Sequence, residues 1–425
     1  MNANSAICAA LSRRRFLQSI LAGSAGIALS GTVSTRIAMA ADPSYTGDVI
    51  VVLSLRGGFD GLNAIVPAGD PDYLVARPNI GIPSSALLGL DSMFGLHPAM
   101  APLLPFWQSG QFGAVHAVGQ PAPTRSHFEA TEEMERAAPD SSIRTGWLDR
   151  ALGLRSVGPV FQAVQLGDSL PTLALTGPTP ELALGSLADF HLAGMGPDDD
   201  QAWAAPELAR WTEALSAMHE DAPASIADPV DTALGAVKAV TAMTTSTYIP
   251  AVPYPDNDLA RALTDAARLI KAGIGVQVVC LDFDGWDMHG GMGTFSQADS
   301  WLTTQLRDLS ASLAAFATDL GGRFDRTTIV TMSEFGRRVE ENDSGGVDHG
   351  HGNAMLLLGG KVNGGQVHGR WPGLGADKLY DGDLAGVTDF RLVLAEIMRK
   401  RCGQTGLSQV FPGADLQTEL GVVRT

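Results

Sequence analysis

The chain has 425 residues, room for one large domain or two to three average ones. Hydrophobic residues at 45% and charged residues at 18% support a buried core and exclude wholesale disorder. A formal charge of −17 disfavours nucleic acid and anionic membrane surfaces as partners. It leaves an anionic substrate open, because a bound divalent cation reverses the local field.

The N-terminal stretch SRRRFLQ (Ser12 to Gln18) precedes a short run rich in Gly and Ala, and Ala38-Met39-Ala40 reads as an A-x-A cleavage site. Paired arginines followed by Phe-Leu match a twin-arginine export signal. The run is too short and too small-sided for a stable membrane span. Residues 1–40 are therefore expected to be a leader, handled by the twin-arginine translocase and then removed; an uncleaved anchor is the alternative. The product would be periplasmic or extracellular, one domain over residues 41–425. The leader carries four arginines and no acid, so its loss makes the remainder more acidic. Of three cysteines, Cys8 leaves with it, and Cys280 and Cys402 make no disulfide framework.

After the leader, the segment Gly47 to Pro67 opens with a continuous apolar run, which predicts a strand buried on both faces. Phe112 to Gly119 reads the same way, and 159–176 is strand-like with Pro and Gly breaks. A polar, helical insertion is expected at about 186–255. Helical spacing follows over Asp258 to Gly273, then a strand in IGVQVVCLDFDG, a helix over Ala298 to Gly321, strands in TTIVTMSEFG and AMLLLGG, and a closing helix in TDFRLVLAEIMRKRCG with basic residues in its last turn. This alternation predicts an α/β fold with a mainly parallel central sheet flanked by helices.

Ligands of open parallel sheets bind beyond the carboxyl ends of the strands. Polar clusters stand at four such ends: Asp60, Ser126 with His127, Asp287 with His289, and Glu334. Asp60 lies in RGGFDG, where glycines allow close approach to a ligand and an Asx turn is the plain alternative. Ser126 and Glu129 fit a capping box, or Ser126 is a nucleophile at a helix N-terminus. Asp287 and His289, two apart, could face one side of an extended loop; oxygen plus imidazole suits zinc or manganese. Glu334 is a candidate ligand or base and Arg337 a candidate anion contact, with a surface ion pair as the alternative. In GVDHGHGN, Asp348, His349 and His351 form a fifth cluster with a metal-site composition. His97, His116 and His368 stand alone and are expected to be structural.

LRGGFDGLNAIVP, LHPAMAPL, VHAVGQP, RSHFEA, DGWDMHGG, TMSEFGRR and DHGHGNAMLLLGG together resemble the DUF1501 family over nearly the whole mature chain. That family is grouped with the alkaline phosphatase and sulfatase superfamily. The resemblance implies an alkaline phosphatase-like sandwich around a pair of divalent metals, Asp60 after the first strand, Ser126 as nucleophile, and later Asp and His ligands. Two departures stand out. Asp-His-Gly becomes Glu334-Phe335-Gly336, and Asp-x-x-x-His tightens to Asp287-Met288-His289.

The expectation is an exported, zinc- or manganese-dependent hydrolase of phosphate or sulfate esters, small or polymeric. Its metal would be held by Asp60, Asp287, His289, Glu334, Asp348, His349 and His351, with Ser126 or bound water as nucleophile. His127, Arg125 or Arg337 would contact the oxyanion or leaving group. The competing expectation is a non-catalytic exported binding or surface-assembly protein on the same scaffold; a serine hydrolase using Ser126 and His127 is a third.

Overall fold

Along β1 (Val49–Leu55), Val49, Val51, Leu53 and Leu55 enter one apolar cluster while Ile50 and Val52 enter another. Successive side chains of a strand point to opposite faces, so β1 is covered on both sides, which is why its sequence is apolar without alternation. The computed structural model describes residues 45–89, 91–154, 162–168, 170–179, 181–190, 204–244 and 247–425; the leader expected at 1–40 lies outside them.

A small antiparallel pair, β2 (Ile65–Val66) and β3 (Gly95–Leu96), follows β1. The remaining strands are β4 (Phe112–Gly119), β5 (Ala163–Leu166), β6 (Leu182–Leu184), β7 (Val278–Phe283), β8 (Thr327–Met332), β9 (Asn353–Gly359), β10 (Val367–His368) and β11 (Thr388–Asp389). With β1 they form one sheet in the order β10-β4-β9-β8-β1-β7-β5-β6, and β11 lies on β4. Its pairings are parallel except those of β9 with β4 and β8. Because β9 runs backwards, its first residue, Asn353, stands at the same sheet edge as the carboxyl ends of β1, β4, β7 and β8. All five polar clusters therefore meet at one edge.

Helices cover both faces. Helix Asp258–Ala272 starts at Asn257, whose side chain accepts from the Ala260 N–H at 2.7 Å, and stops at Gly273 with φ 66°. It packs with helix Trp301–Leu320 on the first cluster. Helix Phe390–Cys402, capped by Asp389 and carrying Arg399, Lys400 and Arg401 in its last turn, covers the second with helix Trp147–Gly153. Within 186–255, helices Ala204–His219 and Ala224–Thr244 are present, and Ala236 and Val240 of the latter join the first cluster. The chain then returns over Asp319, whose buried carboxylate accepts from Tyr248, Tyr254, Lys271 and the Ala251 N–H. Among the described residues no helix is long and apolar enough to cross a membrane.

Candidate metal centre

Three loops build the centre. Beyond β8 and β9 the chain continues as a tight pairing: Gly336 N–H donates to His351 O and Gly350 N–H to Gly336 O, both at 2.9 Å, and Arg337 stands opposite His349. A Cβ on Gly336 would lie 1.9 Å from Gly352 O, and one on Gly350 2.5 Å from the Arg337 carbonyl carbon, so neither position accepts a side chain. The loop after β7 is stitched on by Val347 N–H donating to Met288 O at 3.1 Å. His127 opens the helix His127–Arg136, for which Ser126 is the N-cap.

Donor atoms of these loops converge. His127, Asp287 and His349 each bring one within 4.8 Å of the others. His349 Nε2 is 3.2 Å from Asp287 Oδ1, and His127 Nε2 is 3.6 Å from it. His289 Nε2 adds a fourth, 3.0 Å from Asp287 Oδ1 and 2.9 Å from His349 Nε2. Tetrahedral zinc with bonds of ~2.0–2.1 Å separates its ligand atoms by ~3.3 Å, close to these spacings.

The outer ring nitrogens set the chemistry. His127 Nδ1 lies 2.8 Å from Glu334 Oε1, His289 Nδ1 2.9 Å from Asp348 Oδ1, and His349 Nδ1 2.9 Å from Arg125 O. All three partners only accept, so each Nδ1 carries a hydrogen, and in the neutral ring each Nε2 presents a lone pair inward. His127 Nε2 is buried with no hydrogen-bond partner. Lone pairs and a carboxylate facing one another repel unless a cation lies among them, and carboxylate- or carbonyl-oriented histidines are the usual surroundings of a bound metal. The residues fit a divalent ion.

Arg337 locks the loops together. Its side chain is fully buried and donates to Gly57 O, Gly58 O at 2.7 Å, Trp286 O and Val347 O at 3.1 Å, and Asp287 Oδ1 at 2.6 Å. Burial opposes the ionised form of Asp287, but hydrogen bonding and charge from Arg337 outweigh it and hold the carboxyl below its ordinary range. Asp348 is also held low, first by its hydrogen bond with His289. Burial lowers His349, which favours the neutral ligand form.

The sequence expectation divides accordingly. Asp287, His289 and His349 come together, and Asp348 sits one shell out, orienting His289. Glu334 does likewise for His127: its carboxylate also accepts from Gly57 N–H at 2.8 Å and the Ser333 hydroxyl at 3.0 Å. His127, expected at the oxyanion or leaving group, brings a ring nitrogen to this cluster.

Asp60 stands apart because Arg77, fully buried, engages both its carboxylate oxygens at 2.7 and 3.0 Å. His351 stands apart because the chain bends there; its Nε2 meets Gln120 O at 3.1 Å and its ring lies against Tyr380. Arg337 is spent on carbonyls and Asp287, leaving nothing to meet an oxyanion. Ser126 Oγ accepts from Glu129 N–H at 3.5 Å, the capping role. Phe335 packs its ring against His127 and His349, with centroids 4.8 and 4.6 Å away. No signal in the sequence pointed to Arg77, 17 residues beyond Asp60.

His97 and His116 are structural: burial lowers both to about 4, and their Nδ1 atoms accept from the N–H groups of Ala99 and Ala117. His368 is bonded to carbonyls of Asn363 and Leu420. Among the described residues, Cys280 and Cys402 form no disulfide.

Among solved structures, the C-terminal periplasmic domain of EcEptC from Escherichia coli, in complex with Zn, is 9% identical, with 76% of this chain and 77% of that chain covered and a TM-score of 0.32. The PsFucS1 sulfatase from Pseudoalteromonas sp. is 12% identical, with 89% and 74% covered and a TM-score of 0.35. The phosphonate monoester hydrolase of Agrobacterium radiobacter is 11% identical, with 75% and 70% covered and a TM-score of 0.30. No curated protein sequence matches the chain. Residues 97–385, well over half the chain, match the family described as "Protein of unknown function (DUF1501)", and the chain belongs to that family.

Proposed function

We propose that this protein is an exported metal-dependent hydrolase of phosphate or sulfate esters, with one divalent ion held by His127, Asp287, His289 and His349. The convergence of three Nε2 lone pairs on one carboxylate oxygen carries the reading. Three nitrogens and one oxygen favour zinc, with manganese the next choice. When bound, such an ion acts as a Lewis acid and lowers the pKa of water to about 7.

The chain's own residues do the rest. Glu334, Asp348 and the Arg125 carbonyl fix the three ring hydrogens, so the inward nitrogens cannot act as proton donors. The Asp287 and His289 side chains are 49% and 45% exposed, which leaves the centre open to an incoming ester. The buried Phe335 ring packs against those of His127 and His349. Ser126 stays a helix cap, so water is the nucleophile.

A second reading has its own observation. Four protein donors make a closed set, the habit of structural zinc, whereas catalytic zinc keeps one position open. That reading makes the protein a non-catalytic exported binding or assembly protein. Elemental analysis of the purified protein, followed by 4-nitrophenyl phosphate and sulfate ester assays, separates the two. Near-stoichiometric metal with turnover is expected; metal without turnover leaves the structural reading, and a folded protein that takes up no zinc or manganese sinks both. Export is checked by fractionation: Arg13 and Arg14 changed to Lys should hold the protein in the cytoplasm.

A further inference from the structure

We infer that the ester this centre takes carries a single negative charge: a phosphodiester or a sulfate monoester, not a phosphate monoester dianion. The inference rests on the hydrolase reading and concerns the charge balance of the same site.

The inner shell comes first. With an ion bound, its three imidazoles would count as neutral ligands, each outer nitrogen donating to an acceptor and each inner one turned to the centre. Its fixed charges are the carboxylates Asp287, Glu334 and Asp348 and the guanidinium of Arg337. A divalent ion brings that set to neutrality. Nothing remains in excess to meet two negative charges.

The next shell adds no cation. Arg125, beside His127, is paired with Asp381 at 3.0 Å and Asp383 at 2.6 Å. Arg338 faces Asp383 at 3.6 Å and donates to Asp381 O. Two guanidinia thus meet two carboxylates. Among the described residues no lysine contacts either shell. Sites that transfer a dianionic phosphoryl group characteristically surround it with Arg or Lys clamps. Here the arginine nearest the metal is fully buried and its donors are occupied by carbonyls and Asp287. A dianion would give up hydration for a second charge that finds no donor, and the net charge of −17 opposes its approach. A monoanion leaves only half that charge unmatched.

The test uses the metal-loaded full-length protein at pH 8. Three substrates share one leaving group: methyl 4-nitrophenyl phosphate, 4-nitrophenyl sulfate and 4-nitrophenyl phosphate. At least one monoanion should exceed the dianion in kcat/KM by about tenfold, the scale of one unpaired charge near a protein surface; which one wins tells phosphodiester from sulfate ester. Asp348→Asn should narrow that ratio several-fold, and because both rates come from one preparation, lost metal does not distort it. Binding gives a second readout through the visible spectrum of cobalt-substituted protein. Methyl sulfate and dimethyl phosphate should perturb it at lower concentration than sulfate and methyl phosphate. Discrimination by the spectrum without turnover upholds the charge preference and ends the hydrolase reading. Preference for the dianion in either assay, or no anion bound at all, overturns the inference.

Discussion

His127 Nε2 is buried, has no partner and faces Asp287 Oδ1 at 3.6 Å. His127→Ala and His349→Ala should each abolish stoichiometric metal, read by elemental analysis after dialysis. Glu334→Gln keeps the shape but weakens the acceptor for His127 Nδ1. Metal affinity should fall by about 10- to 100-fold, measured by competition with a chromogenic chelator. Asp60→Asn separates ligand from scaffold. It should leave metal content unchanged while costing about 3 kcal/mol in urea unfolding, since Arg77 stays buried without its counter-charge. His116 is held at about 4 by burial, against 6.5 when free. Between those values the unfolded chain binds a proton that the folded chain refuses, so wild-type stability falls as pH drops from 6.5 to 4. His116→Gln should lack that component. The wild-type advantage should shrink by about 3 kcal/mol over this window, compared in parallel urea titrations.

At the scale of elements, the paired extension of β8 and β9 matters most, because it presents His349 opposite Arg337. Its glycines mark where two backbones pass too closely for a Cβ. Gly336→Ala should therefore destabilise the protein by 2 kcal/mol or more, roughly the cost of forcing packed backbone apart, and reduce metal uptake with it. An unchanged melting temperature would contradict the close approach.

The strands β1, β4, β5, β7, β8 and β9 and the helices Asp258–Ala272, Trp301–Leu320 and Phe390–Cys402 were legible because a buried strand needs an apolar run and a surface helix needs a 3.6-residue stripe; the two- and three-residue strands are too short to leave such a run. The direction of β9 was not, since an apolar run reads the same both ways. Its reversal brings the loop of Asp348 and His349 to the edge where the other clusters lie. Nor could spacing separate His349, which enters the centre, from His351, which bends away to Gln120. Glu334 looked like a ligand because a carboxylate at a strand end is ambiguous between holding a metal and holding the histidine that does.

For the whole molecule, the three loops belong to distant parts of the chain, so metal binding is linked to the folded state alone. At a free metal concentration 100 times its Kd, a single ion stabilises the fold by about 2.7 kcal/mol. A chelator should accordingly lower the melting temperature, and zinc should restore it; an indifferent melting temperature would contradict a resident ion.

The three outer contacts are not equivalent. His127 and His289 lean on carboxylates, whereas His349 leans on the neutral carbonyl of Arg125. A carboxylate pushes electron density through the ring and strengthens the inner nitrogen as a base; a carbonyl does so less. Of the three imidazoles His349 would then be the weakest donor, and the position at which a bound ion would most readily exchange a protein ligand for an incoming oxygen.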